Sequence, residues 1–283
     1  MRKLILLIVC SMAAFLSFAG NDSRATVIIQ VSDPQMGFYH GNRDMEYETE
    51  MLIRTVEAIN RIQPDAVVFT GDYVHNPLDS LQWKELLRIT SAIHPSIRLM
   101  YLPGNHDVLR NKGAVDMTPY LTHLGADRFS LCINNVLLTG LNSNYVKDET
   151  HDPSKEREQL NWLKRSLKKK KRNQVSLVFD HHPFFLQQID EPEGYSTIAP
   201  EKRLTYFSLF KKYGVGFVFS GHLHDNAETS YDNIQMVTTS ATGRQLGKAE
   251  SGVRVIIVRQ GEVSHRYYPI GDIPNNRDEI LNN

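Results

Sequence analysis

Five short polar segments punctuate this chain, each just after a run of apolar, strand-like residues: Asp33-Pro34-Gln35, Gly71-Asp72, Gly104-Asn105-His106-Asp107, His181-His182-Pro183 and Gly221-His222-Leu223-His224. They hold the carboxylates, amide oxygens and imidazoles that bind divalent cations. A bare Gly-Asp or Asn-His pair says little; the weight lies in five clusters, each at the end of an expected strand. Two cations about 3.5–4 Å apart can share a carboxylate oxygen, clamp a phosphate and steady both attacking and leaving oxygens. Asp72 suits the shared position, because Gly71 before it lets the turn close tightly. Asp33 and one histidine of the His222, His224 pair then complete one site. Asn105, His181 and the other histidine of the pair complete the second.

Such groups need a frame that gathers them. Thr26 to Ser32, Ala66 to Thr70, Arg98 to Leu102, Val175 to Phe179 and Val215 to Ser220 are β-branched or aromatic runs that read as buried strands. Between them, Leu52, Val56 and Ile59 recur at helical spacing before Pro64, and Ser80 to Ala92 and Glu156 to Lys171 also read as amphipathic helices. The alternation predicts an α/β fold in which ligand groups collect at the carboxyl ends of strands. Asn134-Asn135 and Gln260-Gly261 each separate two apolar runs and predict hairpins, so antiparallel pairs join the parallel units. The expectation is a four-layer α-β-β-α sandwich with two stacked mixed sheets, one domain from about residue 26 to 270, and a polar tail over residues 271–283, frayed past Pro274.

The 283 residues are 41% hydrophobic and 23% charged, enough for a sizeable core. Lys plus Arg and Asp plus Glu both number 32, which gives no bulk attraction to nucleic acid. Arg2 and Lys3 precede an apolar run from Leu4 to Ala19 that closes on Ser17-Phe18-Ala19, the pattern of a cleaved export leader over residues 1–19. The run falls short of the roughly 20 apolar residues of a spanning helix, so no stable membrane anchor is expected and the chain reads as periplasmic or extracellular. Lipoprotein processing at Cys10 is disfavoured by bulky Val9. Without the leader Cys132 is the single cysteine, and no intramolecular disulfide can form.

The order of the clusters resembles that of the calcineurin-like metallophosphoesterases, whose pattern is D-x-H, G-D, G-N-H-D/E, H and G-H-x-H. The resemblance runs from about residue 27 to 270. It implies the sandwich fold and two divalent metal ions of manganese, magnesium, iron or zinc. Asp33, Asp72 and His224 are then ligands of the first, and Asp72, Asn105, His181 and His222 of the second. It also implies that His106 is the acid-base residue. Gln35 departs from the pattern, since glutamine offers a carbonyl oxygen where the family has imidazole. The first site is therefore expected to be looser, to favour magnesium or manganese over zinc, or to stay empty. With Gln35, the run Ser240 to Gly247 and His265-Arg266-Tyr267-Tyr268 resemble a serine/threonine phosphatase branch of the family.

The expected chemistry is hydrolysis of a phosphate monoester, on a phosphorylated small molecule or phosphoprotein. A metal-bound hydroxide attacks in line, His106 protonates the departing alkoxide and Asp107 orients the His106 ring. A phosphodiesterase on the same site and a non-catalytic metal- or phosphate-binding protein are the alternatives. Asn76, Asn226, Arg244 and Gln245 are candidates to contact the phosphate, although short polar residues are also ordinary turn material. His182 reads as a support for His181, and His75 is near the site by sequence alone. His40, His94, His123, His151 and His265 read as structural, and Lys168 to Arg172 as a solvated helix end. The segments 142–154 and 187–200 read as loops over the site that set substrate choice.

Overall fold

Strand β1 (Thr26–Val31) is buried at every position, and its two faces serve different cores. Val27, Ile29 and Val31 join one apolar cluster while Ile28 joins another, the period-2 alternation of a strand covered on both sides. The computed structural model describes residues 24–111, 114–147 and 153–282. The leader expected over residues 1–19 lies outside the described residues.

From β1 the chain runs through α1 (Glu46–Ile62), β2 (Ala66–Phe69), α2 (Ser80–Thr90) and β3 (Arg98–Tyr101). A small hairpin of β4 (Leu109–Asn111) and β5 (Ala114–Asp116) precedes α3 (Thr118–Leu124), β6 (Phe129–Ile133), β7 (Val136–Gly140) and α4 (Ser143–Lys147). Then come α5 (Ser154–Leu167), β8 (Val175–Phe179), α6 (Pro200–Tyr213) and β9 (Phe217–Ser220). Two hairpins, β10 (Ala227–Tyr231) with β11 (Ile234–Thr238) and β12 (Gly252–Arg259) with β13 (Glu262–Pro269), lead to α7 (Arg277–Asn282).

The strands form a five-stranded sheet, β13-β12-β1-β2-β3, and a six-stranded sheet, β10-β11-β9-β8-β7-β6. In the first, β1, β2 and β3 are parallel and β12 runs against both its neighbours. In the second, β11, β9, β8 and β7 are parallel and the two outermost strands are antiparallel. Ile28, Val68 and Leu102 meet Leu138, Leu177 and Phe219 between the sheets. Outside the first sheet α1 and α2 pack through Leu52, Val56, Ile59 and Leu86; outside the second α5 and α6 pack through Leu163, Leu167, Phe207 and Phe210. The fold is the four-layer α-β-β-α sandwich with two mixed sheets.

Local signals explain the boundaries. Asp79 accepts hydrogen bonds from the Leu81 and Gln82 amides at the start of α2, and Gln63, left-handed at φ 53°, closes α1 ahead of Pro64. Both residues of the Gln260-Gly261 turn take positive φ, 54° and 88°, as a two-residue hairpin of that hand requires.

Two expectations need correction. The tail is not frayed: Ile280 of α7 is 1% exposed, and Arg277 binds the Asp65 carboxylate and the Ala25 and Gln63 carbonyls. One apolar residue and one guanidinium with three acceptors outweigh its polar composition. The segment 142–154 contains α4, so it is not loop throughout, whereas 187–199 has no regular element.

The register sets up the site. Val31 pairs with Phe69 and Phe69 with Tyr101, while Gly140 pairs with Phe179 and Phe179 with Phe219. All five polar clusters therefore leave their strands at the same edge of the sandwich.

Candidate metal centre

The loops at this edge are bent sharply. Asp33, Gln35, Asp72, His222 and His224 all take positive φ, between 37° and 71°. A non-glycine residue in that region costs of order 1 kcal/mol or more, and such strain clusters at functional sites. Glycine permits the closest approaches. A Cβ at Gly104 would fall on the Asp72 carboxylate, and one at Gly221 would fall on Ser32 Oγ. Asp107 ties the loops together. Its fully buried carboxylate accepts the amides of Gly104 (2.7 Å), Asp72 (2.8 Å) and Tyr73 (2.7 Å).

His181 organises one half of the site. Its Nδ1 lies 2.8 Å from the Thr70 carbonyl, which has no proton to give, so Nδ1 carries a hydrogen and Nε2 is the atom turned to the cluster. Around that Nε2 stand Asn105 Oδ1 at 3.0 Å, His222 Nδ1 at 3.2 Å and Asp72 Oδ2 at 3.4 Å. Electron-pair donors crowded this way require a proton or a cation between them. Their separations match the edges of a polyhedron whose ligands stand about 2.1 Å from a central ion. In the other half, His224 Nε2 lies 3.4 Å from Asp33 Oδ1, and His224 Nδ1 is held by the Arg244 carbonyl. Asp33 Oδ2 accepts the His222 amide at 3.0 Å and the Ser32 hydroxyl.

Among the described residues, Asp33 Oδ1, Gln35 Oε1 and His222 Nε2 are buried without a hydrogen-bond partner. Groups of this kind are costly unless an ion satisfies them. Asp33, Asp72 and His181 bring ligand atoms within 4.8 Å of one another, as do His181, His182 and His222. The donor set fits divalent cations. Charges respond accordingly: burial pushes the Asp72 carboxyl up, but the His181, His106 and His222 rings outweigh it and hold it well below the usual range. Burial opposes charging His181, yet Asp72 and Asp33 raise it to about 10. Burial and the His181 ring lower His222 to about 3.

His106 sits half-buried beside this cluster. Its amide donates to Asp72 Oδ1 at 2.8 Å, and its Nδ1 is 3.3 Å from the His75 carbonyl. Asp107 therefore does not orient the His106 ring as expected, because its oxygens are taken by backbone amides; the His75 carbonyl occupies that place.

A sequence profile described as Calcineurin-like phosphoesterase matches residues 26–226. The chain belongs to the calcineurin-like phosphoesterase family. Serine/threonine-protein phosphatase CPPED1 of Mus musculus is 34% identical over 241 residues, covering 82% of this chain and 77% of the relative. Probable glycerophosphodiester phosphodiesterase GpdQ of Arcobacter nitrofigilis is 25% identical over 231 residues, with 78% and 80% covered. Among solved structures, a purple acid phosphatase from yellow lupin (Lupinus luteus) seeds superposes with a TM-score of 0.64 at 15% identity, covering 89% of this chain and 53% of that one. A dimetal phosphatase from Danio rerio gives 0.60 at 13% identity, covering 88% and 100%. These structural likenesses concern the fold. Family membership makes the chain a metal-dependent phosphoric ester hydrolase.

In this calcineurin-like phosphoesterase three of the residues expected to contact phosphate also have local partners. Asn76 Oδ1 accepts the Leu78 amide; Asn226 Oδ1 accepts the Ser240 amide and the Arg254 guanidinium; Gln245 binds Ser240 and the Ala241 and Gly243 carbonyls. The Arg244 guanidinium lies over the Phe38 and Tyr39 rings, 5.1 and 5.5 Å from their centroids. Ser143 Oγ holds His182 Nδ1 at 2.9 Å, so His182 backs His181 and His222 from the second row. Sequence reasoning left His75 unassigned, yet its ring stacks on His106 at 5.1 Å and lies tilted against Phe38 at 5.0 Å. Its place three residues beyond Asp72 was the available signal. Ser32, Thr70 and Ser143 carried none.

Proposed function

We propose that this phosphoesterase is a two-cation phosphomonoesterase, acting on phosphoserine, phosphothreonine or small phosphate esters outside the cytoplasm. One observation carries the reading: Asn105, Asp72 and His222 donors converge on His181 Nε2 beside the Asp33, His224 pair. Asp33, Asp72 and His224, with Gln35 adjacent, would hold one cation; Asp72, Asn105, His181 and His222 would hold the other. Divalent cations there supply positive charge for the phosphoryl oxygens and lower the pKa of the attacking water. Manganese, magnesium, iron and zinc all suit a donor set of mixed oxygen and nitrogen.

The chain's own residues do the rest. Thr70 keeps the proton on His181 Nδ1, so Nε2 faces the cluster. The His75 carbonyl accepts from His106 Nδ1–H and so turns Nε2 to the site; from the imidazolium form Nε2 gives its proton to the departing oxygen, leaving a neutral ring with its hydrogen on Nδ1. The resemblance to CPPED1 supports the monoester and the protein substrate. The leader-like start supports export, and among the described residues no helix is long and apolar enough to cross a membrane.

The GpdQ relative favours a second reading, a phosphodiesterase on the same centre. Purified protein supplied with manganese should turn over p-nitrophenyl phosphate faster than bis(p-nitrophenyl) phosphate. A reversed preference selects the diesterase. Turnover no better than that of Asp72→Asn would falsify catalysis and leave a binding protein. Metal analysis should return two ions per chain; a single ion would place the loss at Gln35.

A further inference from the structure

Beside the cation ligands lies a cavity of about 610 Å³ whose wall includes Asn105, His106, Arg110, His182, Glu193 and Tyr195. That volume exceeds what a phosphate needs and falls in the range of sites for larger ligands. Its position beside His106 defines what enters it: the acid must reach the departing oxygen, so the cavity receives the alcohol portion of the substrate.

The charges on the wall are unevenly compensated. The carboxylate of Glu193 lies 3.5 Å from Lys147 Nζ, and Lys147 also donates to the Gly194 and Thr197 carbonyls at 2.9 and 2.8 Å. Arg110, on β4, is exposed and has neither hydrogen-bond nor ion-pair partner among the described residues. The wall is also built firmly. Arg203, fully buried in α6, donates to the Ile189, Glu191 and Ile198 carbonyls, and Glu191 accepts the Leu186 and Gln187 amides. This loop presents Tyr195, 75% exposed, with its ring 5.2 Å from that of His222. An unpaired guanidinium at the rim of a preformed pocket is suited to a carboxylate or phosphate, which it binds through two parallel N–H bonds.

We propose that Arg110 pairs with a second anionic group on the alcohol portion, so that the preferred substrate is a phosphomonoester bearing another acidic group. The proposal rests on the phosphomonoesterase reading and narrows it. A phosphoserine peptide flanked by acidic residues and a small bisphosphate share this chemistry.

The test compares kcat/KM of the manganese-loaded full chain on two pairs. One is a phosphoserine peptide with glutamate or with glutamine flanks; the other is fructose 1,6-bisphosphate or fructose 6-phosphate. The acidic member of at least one pair should be favoured roughly tenfold, the scale of one charge-assisted hydrogen bond, and mainly through KM. Whichever pair shows the preference identifies the source of the second anion. Arg110→Gln should bring that ratio close to one, and Arg110→Lys should restore part of it. A wild-type ratio near one in both pairs, or a ratio unchanged by Arg110→Gln, overturns the proposal. Absence of turnover on every monoester would instead overturn the phosphomonoesterase reading. Calorimetric binding of the same four compounds, with and without Arg110→Gln, then decides the role of Arg110 separately.

Discussion

His181 shows how one side chain is committed by its neighbours. The Thr70 carbonyl fixes the tautomer, and Asp72 with Asp33 raises the imidazole to about 10 against the opposing effect of burial. In the cation-free protein this charge is worth most below the unfolded value of 6.5, and the contribution is lost as pH rises through about 10. A cation must displace that proton. Manganese affinity should therefore climb with pH between 6.5 and 9, by about tenfold per unit for a one-proton exchange. Calorimetry that found no slope would remove His181 from the ligand set. His106 offers a cleaner cut, because its contact with Asp72 runs through the backbone amide and survives side-chain removal. His106→Ala should lower kcat on an alkyl phosphate by roughly 10²–10⁴. An aryl phosphate, whose leaving group needs little protonation, should lose far less. Equal losses on both esters would deny His106 the acid role.

The centre is a property of strand ends. Five of the parallel strands, β1, β2, β3, β8 and β9, each stop just before a cluster, and Asp107 joins the loop after β3 to the loop after β2 through the Gly104, Asp72 and Tyr73 amides. Asp107→Asn replaces one acceptor oxygen with a donor that faces an amide, at a cost of about 1–3 kcal/mol for each group left unpaired. Thermal unfolding should move down and manganese affinity should fall together, since Asp72 rides on the same amides. If stability dropped with affinity unchanged, the two loops would be independent. The elements that build this edge were legible because parallel strands covered on both faces read as unbroken apolar runs. α6 was not legible. Its core face carries Arg203, fully buried because its guanidinium caps three loop carbonyls, and a cation there breaks the apolar stripe. The β10, β11 hairpin could have been found, since Asp232 and Asn233 at positive φ sit between two strand-like runs.

At the scale of the whole molecule, polar links join the two sheets. Gln30, which shares the inner face of β1 with Thr26 and Ile28, donates to the Ser220 carbonyl at 2.9 Å and accepts from Thr239 Oγ1 at 2.7 Å. This fixes the end of β9, hence His222, relative to Asp33. The C-terminal helix docks at the opposite end, where Arg277 reaches Ala25 and Asp65 at the amino ends of β1 and β2. Ile280→Ala should therefore cost about 2–4 kcal/mol in denaturant unfolding. It should leave kcat/KM on p-nitrophenyl phosphate unchanged; a matching loss of activity would mean that the two ends of the sandwich communicate.

By itself the chain determined which side chains are candidates for the chemistry and that they lie at strand ends, because ligand chemistry is a property of residue type and strand periodicity is local. Only the tertiary structure decided which donors face one another and which polar atoms the loops engage. It gave Asp107 to the backbone, the His75 carbonyl to His106, and the side-chain oxygens of Asn76 and Asn226 to loop amides. Those outcomes depend on distances between residues tens of positions apart, set by sheet register and by the closing of strained loops, and no local pattern encodes them.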